Sequence, residues 1–234
     1  MDSKHRDPRW LVGVLKEAIS AFKTEDERLL QDEKADDGTT HGSVGECAIT
    51  HRLAVHLERI LQKYGYPNKE TPISVDCEYN RHRGAIKQQV VKDKLRARVE
   101  ELKDRILKEH PEKEGWYVFS VFPDIIVHER GVDTNNLVAI EVKRASNSPD
   151  DELDCIKLHL FTIQHEDYGY RYILGATVIA FDDDKFGERR LEIGRLFIDG
   201  QCRHRAKFLE NEPATHDFLK TPECGYLPDE QREG

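Results

Sequence analysis

The stretch YVFSVFPDIIVHERGVDTNNLVAIEVK (117–143) contains two apolar runs, YVFSVFPDIIVH (117–128) and LVAIEVK (137–143), separated by the turn-rich ERGVDTNN (129–136). β-Branched and aromatic residues dominate both runs, so the pattern predicts two adjacent antiparallel strands. Asp124 interrupts the first run beside Pro123, which lacks an N–H and fits an edge or a bulge better than a regular ladder. In the second run Glu141 and Lys143 share a face, because alternate residues of a strand point the same way. Two such strands can bring one Asp, one Glu and one Lys to a single point.

On the N-terminal side, Trp10, Leu11, Val14, Leu15, Ala18, Ile19 and Phe22 recur at helical spacing and predict a helix over 8–32. The polar, acidic DEKADDGTTHGS (32–43) reads as a linker. A second helix is expected from near Ser43 to about Tyr64, with Ser43 and Glu46 at capping-box spacing and Gly65 and Pro67 as its stop. ISVDCEY (73–79) alternates as a strand. The segment from Ile86 to His110 reads as helix, with Val90, Val91, Leu95, Val99, Leu102, Ile106 and Leu107 as its apolar stripe.

On the C-terminal side, DELDCIKLHLFTIQ (151–164) reads as a helix, YILGATVIAF (172–181) as a buried strand and LEIGRLFI (191–198) as a last strand. The order predicts an α/β fold, a mixed β-sheet with helices against it, and not a run of βαβ units. The expected organisation is an N-terminal helix and acidic linker (1–42), a core (43–198) with a helical insertion (84–110), and a polar, irregular tail (199–234).

The 234 residues are 38% hydrophobic and 35% charged, with a formal charge of −9, which argues against a protein that coats nucleic acid indiscriminately. Charge is unevenly placed. Between 81 and 108 ten basic residues, among them Lys92, Lys94, Arg96 and Arg98, face four acidic ones, a net +6 suited to phosphate contacts or to a solvated helix face. No apolar run is long enough for a membrane span, and the N-terminus lacks a signal-peptide pattern. Five scattered cysteines form no CxxC pair, which predicts a reducing, cytoplasmic setting.

Carboxylates such as Asp124 and Glu141 suit a hard divalent ion, and an ammonium such as Lys143 can orient an attacking water or offset phosphoryl charge. An acidic-x-Lys tripeptide alone says little, since it recurs at Asp32–Lys34, Glu101–Lys103 and Asp183–Lys185. Only Glu141–Lys143 closes an apolar strand directly after a strand bearing Pro-Asp; a buried structural salt bridge is the competing explanation. Asp154 and Lys157 are three apart on the next helix, as a surface ion pair or with Lys157 near a substrate phosphate. His51, His56 and His128 form neither HxH nor HExxH, and His128 reads as a hydrogen-bonded structural residue or an accessory group.

The PD at 123–124 followed by EVK at 141–143 resembles the motif of the PD-(D/E)xK nuclease superfamily, with THRLAVHLE (50–58), VDCEYNR (75–81) and DCIKLHLFT (154–162) adding to the likeness over about 43–181. The resemblance implies a restriction-endonuclease-like sheet, with Asp124 and Glu141 as metal ligands, the Val142 carbonyl completing the shell and Lys143 as catalytic lysine. It also implies an acid from the preceding helix, matched by Glu46, although helix capping explains Glu46 equally well. Gln164 and Tyr168 have the QxxxY spacing of one branch of that superfamily. The expectation is a Mg²⁺- or Mn²⁺-dependent nuclease acting on DNA, with room for a homodimer. The alternatives are a catalytically quiet nucleic-acid-binding or interaction module of the same fold, or a metal-dependent hydrolase of RNA or nucleotides.

Overall fold

Pro8 at the first helical position and the Asp7 carboxylate, which accepts from the Arg9 N–H at 2.8 Å, start helix α1 (Pro8–Glu25). The computed structural model describes residues 6–30, 33–34, 40–41, 45–78, 81–82, 85–86, 88–103, 107–111, 113–132, 134–145, 151–164, 170–181 and 190–203. The helix ends earlier than its apolar spacing predicts: Asp26 closes it, its N–H bonding Phe22 O at 2.8 Å, and a 3₁₀ turn (Glu27–Leu30) follows. Two-residue strands β1 (Glu33–Lys34) and β2 (Thr40–His41) pair within the expected linker.

Helix α2 (Glu46–Lys63) begins after Gly45, which offers no side-chain cap, so Glu46 is the first helical residue and not the far end of a capping box. Ser43 lies outside the described residues. Strand β3 (Ile73–Cys77) then enters the main sheet.

The greatest departure from expectation lies between β3 and the strands around Asp124 and Glu141. Two short strands, β4 (Arg81–His82) and β5 (Ala85–Ile86), pair with each other. The expected helix of 86–110 divides into β6 (Gln88–Lys92), α3 (Asp93–Lys103) and β7 (Lys108–His110). The β-branched Val90–Val91 pair opposes Val118 and Tyr117 of β8 (Lys113–Ser120), giving a separate sheet of order β6-β8-β7. Cross-strand packing here overrides helical spacing.

The run read as one strand over 117–128 is likewise two. β8 stops at Ser120, and β9 (Ile125–Glu129) restarts in the main sheet after Pro123. β10 (Asn136–Arg144), α4 (Asp151–Thr162), β11 (Leu174–Phe181), β12 (Arg190–Ile198) and β13 (Gln201–Arg203) complete the fold. β13 lies in the tail expected to be irregular; the Asp199–Gly200 turn, both residues at positive φ, folds it back on β12. The rest of that tail, 204–234, lies outside the described residues.

The main sheet has the order β13-β12-β11-β10-β9-β3 and is antiparallel except for the β10–β11 pair. Those two strands run parallel because α4 crosses between them. The mixed sheet flanked by helices is the expected architecture. One face, with Ile125, Val127, Val138, Ile140 and Val142, packs under α1 and α2. The other, with Ile126 and Ala139, packs under α4. Each fully buried Leu, Ile or Phe contributes about 1.5–3 kcal/mol. Gly175 lets α4 approach closely, since a Cβ there would sit 3.1 Å from Thr162 Cγ2.

Candidate active site

β9 and β10 are antiparallel with Ile125 opposite Ile140 and Ile126 opposite Ala139. Their pairing stops there, and continuing the register by one step sets Asp124 opposite Glu141. Ala139 faces α4, so Glu141 and Lys143 follow it onto that face, while Val138, Ile140 and Val142 fill the opposite core. The alternation that identifies the pair in the sequence thus places both side chains against α4.

Where β9 departs, the edge of β10 has backbone groups to satisfy. Asp124 Oδ2 accepts from the Val142 N–H at 2.6 Å, and Glu46 Oε1 accepts from the Arg144 N–H at 2.9 Å. Two acids from different elements therefore line successive steps of one open strand edge. A residue's N–H and C=O point to the same side of an extended strand, so the Val142 carbonyl faces this edge too. Glu78 holds Asp124 from the other side, donating its N–H to the Asp124 carbonyl at 3.0 Å from a left-handed conformation (φ 47°). Sequence reasoning missed Glu78, because a backbone contact leaves no compositional trace.

α4 supplies the rest. Lys157 Nζ lies 2.8 Å from Glu141 Oε2 and 2.7 Å from Asp154 Oδ1, and Lys143 Nζ lies 3.0 Å from Asp154 Oδ2. Asp154 is only 2% exposed, so the Asp154–Lys157 pair is largely buried and not a surface ion pair. One carboxylate thereby fixes both ammoniums. Glu141 is 1% exposed and its second oxygen, Oε1, is buried without a hydrogen-bond partner among the described residues.

The charges in the cluster are under-compensated. Burial drives the Glu141 carboxyl well above the ordinary range; Lys157 opposes the shift, while the charges of Asp154 and Asp124 add to it. Burial also raises Asp124, against the Val142 hydrogen bond and the Lys157 charge. Burial works against the charge on Lys143, but Asp154 more than offsets it and leaves its pKa above the ordinary value. Lys157 is likewise raised, Glu141 and Asp154 outweighing burial. Both lysines are therefore held as ammonium ions.

Other sequence candidates have protein partners. Arg96 bonds Glu100 at 2.9 Å and stacks 4.0 Å from the Tyr117 ring centroid, and Lys92 sits 5.1 Å over Trp116. Arg98 is shared between Glu101 and Glu152, tying α3 to α4. The Lys94 side chain and Tyr168 lie outside the described residues. Gln164 donates to two backbone carbonyls, Thr162 O at 2.9 Å and Tyr172 O at 3.1 Å. His128 bonds Asp76 at 2.9 Å and His56 bonds Asp26 at 2.7 Å, both in ion clusters away from Glu141.

Among the described residues no group of three or more His, Cys, Asp or Glu side chains is placed to hold a metal, and no helix is long and apolar enough to cross a membrane. An ion at this edge would have two carboxylates, one backbone carbonyl and water, the oxygen-rich, partly hydrated coordination that Mg²⁺ favours. The chain matches no family model, no curated protein and no solved structure.

Proposed function

We infer that the protein is a nuclease of the PD-(D/E)xK type that hydrolyses DNA phosphodiesters with the help of Mg²⁺ or Mn²⁺. The observation that carries this reading is the placement of Asp124, Glu141 and Lys143 where β9 and β10 part, with Glu141 Oε1 buried and without a hydrogen-bond partner among the described residues. A mixed sheet whose parallel pair is joined by a crossover helix supports the same family likeness.

Asp124 and Glu141 would hold the ion beside the Val142 carbonyl. A divalent ion bound there supplies positive charge at the scissile phosphate and eases deprotonation of water. Lys157 neutralises one oxygen of Glu141 and leaves the other without a hydrogen-bond partner among the described residues. Lys143 is protonated and aimed by Asp154, so it acts by orienting the attacking water and offsetting phosphoryl charge, not by accepting a proton. Glu46 holds the Arg144 N–H and so steadies the strand end that carries Lys143.

The test is incubation of the protein with plasmid, linear and single-stranded DNA, with Mg²⁺, Mn²⁺ or EDTA. Cleavage is expected with either metal and not with EDTA, and Lys143→Ala should lose cleavage while still binding DNA. Binding without cleavage of any form would assign the protein to the quiet-module class. Equal cutting by Lys143→Ala would return Lys143 to a structural salt bridge.

A further inference from the structure

We propose that Phe122 is a stacking platform for an unpaired nucleobase beside the scissile phosphate, so that the preferred substrate is DNA that is single-stranded or locally unpaired. The proposal rests on the nuclease reading above and adds its substrate class.

Phe122 is 45% exposed, the most exposed large apolar side chain among the described residues. Tyr64, at 41%, is accounted for: it bonds Glu17 at 2.6 Å and packs edge-on against Trp10. Phe122 has no aromatic or cationic partner among the described residues. Its neighbours Val121 and Pro123 are both buried, so the backbone is anchored on each side while the ring is left in solvent. Phe122 lies two residues before Asp124 in the segment that joins β8 to β9, so their Cα atoms are no more than about 7 Å apart.

An exposed phenyl ring costs solvation unless something covers it, and a rigid backbone lowers the entropy lost when it is covered. Every nucleobase has a π-face, and stacking on an aromatic needs no hydrogen-bond readout. Bases inside an intact duplex are already stacked and cannot reach the ring. Lys103, at the end of α3, places a cation close to this segment, with Nζ 3.4 Å from Ser120 O, two residues before Phe122.

The experiment measures binding of a single-stranded oligonucleotide and its duplex by wild type, Phe122→Ala and Phe122→Trp in EDTA, across a salt series. Phe122→Ala should weaken single-strand binding about 5- to 150-fold and duplex binding less than twofold. The log–log salt slope should not change, because no phosphate contact is removed. Phe122→Trp should restore affinity, with its indole fluorescence quenched by the single strand. With Mg²⁺, Phe122→Ala should raise KM for single strands and leave kcat nearly unchanged. Unaltered single-strand affinity, an equal loss on both substrates, or a change confined to oligomeric state in sedimentation would overturn the proposal while cleavage persists. Wild type that neither binds nor cuts any DNA would instead remove the nuclease reading itself.

Discussion

At β3, Asp76 is gripped by His128 at 2.9 Å and by the Arg130 guanidinium, and at the end of α1, Asp26 is gripped by Arg52 at 2.8 Å and His56 at 2.7 Å. Burial tends to raise both carboxyls, but their cationic partners win and hold both below the ordinary range. At the end of β10, Glu141 and Asp124 are buried as well, yet burial wins and both are raised. All three places set a largely buried acid beside bases, although Arg52 and Arg130 keep much of their surface in solvent. What separates them is the direction in which the acid is driven. The first two clusters set one carboxylate against two bases and hold elements together, whereas the third sets three carboxylates, Asp124, Glu141 and Asp154, against two ammoniums.

Substitution should expose that difference. Glu141→Gln should reduce metal-dependent cleavage at least 100-fold, measured as kcat on linear DNA, since it empties a ligand position and the transition state loses the charge arranged there. Asp26→Ala should destabilise the protein by about 3 kcal/mol in urea unfolding, because it leaves buried His56 and Arg52 without their shared carboxylate. Asp124→Asn in metal-free protein should stay within about 0.5 kcal/mol of wild type or exceed it, because a neutral amide removes a carboxylate that burial already disfavours. A large loss there would show that the site is structural too.

Mn²⁺ at a hundred times its Kd should raise wild-type stability by about 2.7 kcal/mol and leave Asp124→Asn nearly unmoved, as followed by thermal unfolding. The smallest effect concerns Asp76. A carboxyl with a depressed folded pKa contributes stability above its unfolded value of 3.8 that is lost as pH falls below it. Wild type should therefore exceed Asp76→Asn by about 1 kcal/mol at pH 7, and the gap should close on acidification below about pH 4. A gap independent of pH would mean that packing, not charge, secures β3.

Legibility from sequence followed the physics of each segment. Strand alternation is local, so the shared face of Glu141 and Lys143 is legible in the sequence, whereas the register that sets Asp124 opposite Glu141 is a pairing the local pattern does not record. The helix expected over 86–110 failed because Val90, Val91, Leu95, Val99 and Leu102 satisfy helical spacing, and no Gly or Pro marks the switch at Lys92–Asp93. The pairing of β6 with β8 is a long-range choice that local pattern does not record. The spacing of Asp154 and Lys157 is legible in the sequence, and so is their burial. Leu153, Cys155, Ile156, Leu158, Leu160 and Phe161 make α4 apolar on nearly every side, and a helix of that kind is buried along with its charges. Glu46 could not be separated from a helix cap in sequence; in the structure its carboxylate reaches across to β10.

β3 and β9 are neighbours in the sheet, with Cys77 opposite Ile125, although 47 residues separate them in the chain. Everything between is, in topological terms, the loop of one hairpin, and it holds the whole second sheet, α3 and Phe122. Loop length adds to closure entropy only logarithmically, so the main sheet tolerates wide variation in what is threaded through that point. The part of that loop between Glu78 and Asp124 is a cassette: exchanging it leaves Asp124, Glu141 and Lys143 in place, so under the proposed nuclease reading target preference can change while the site is kept.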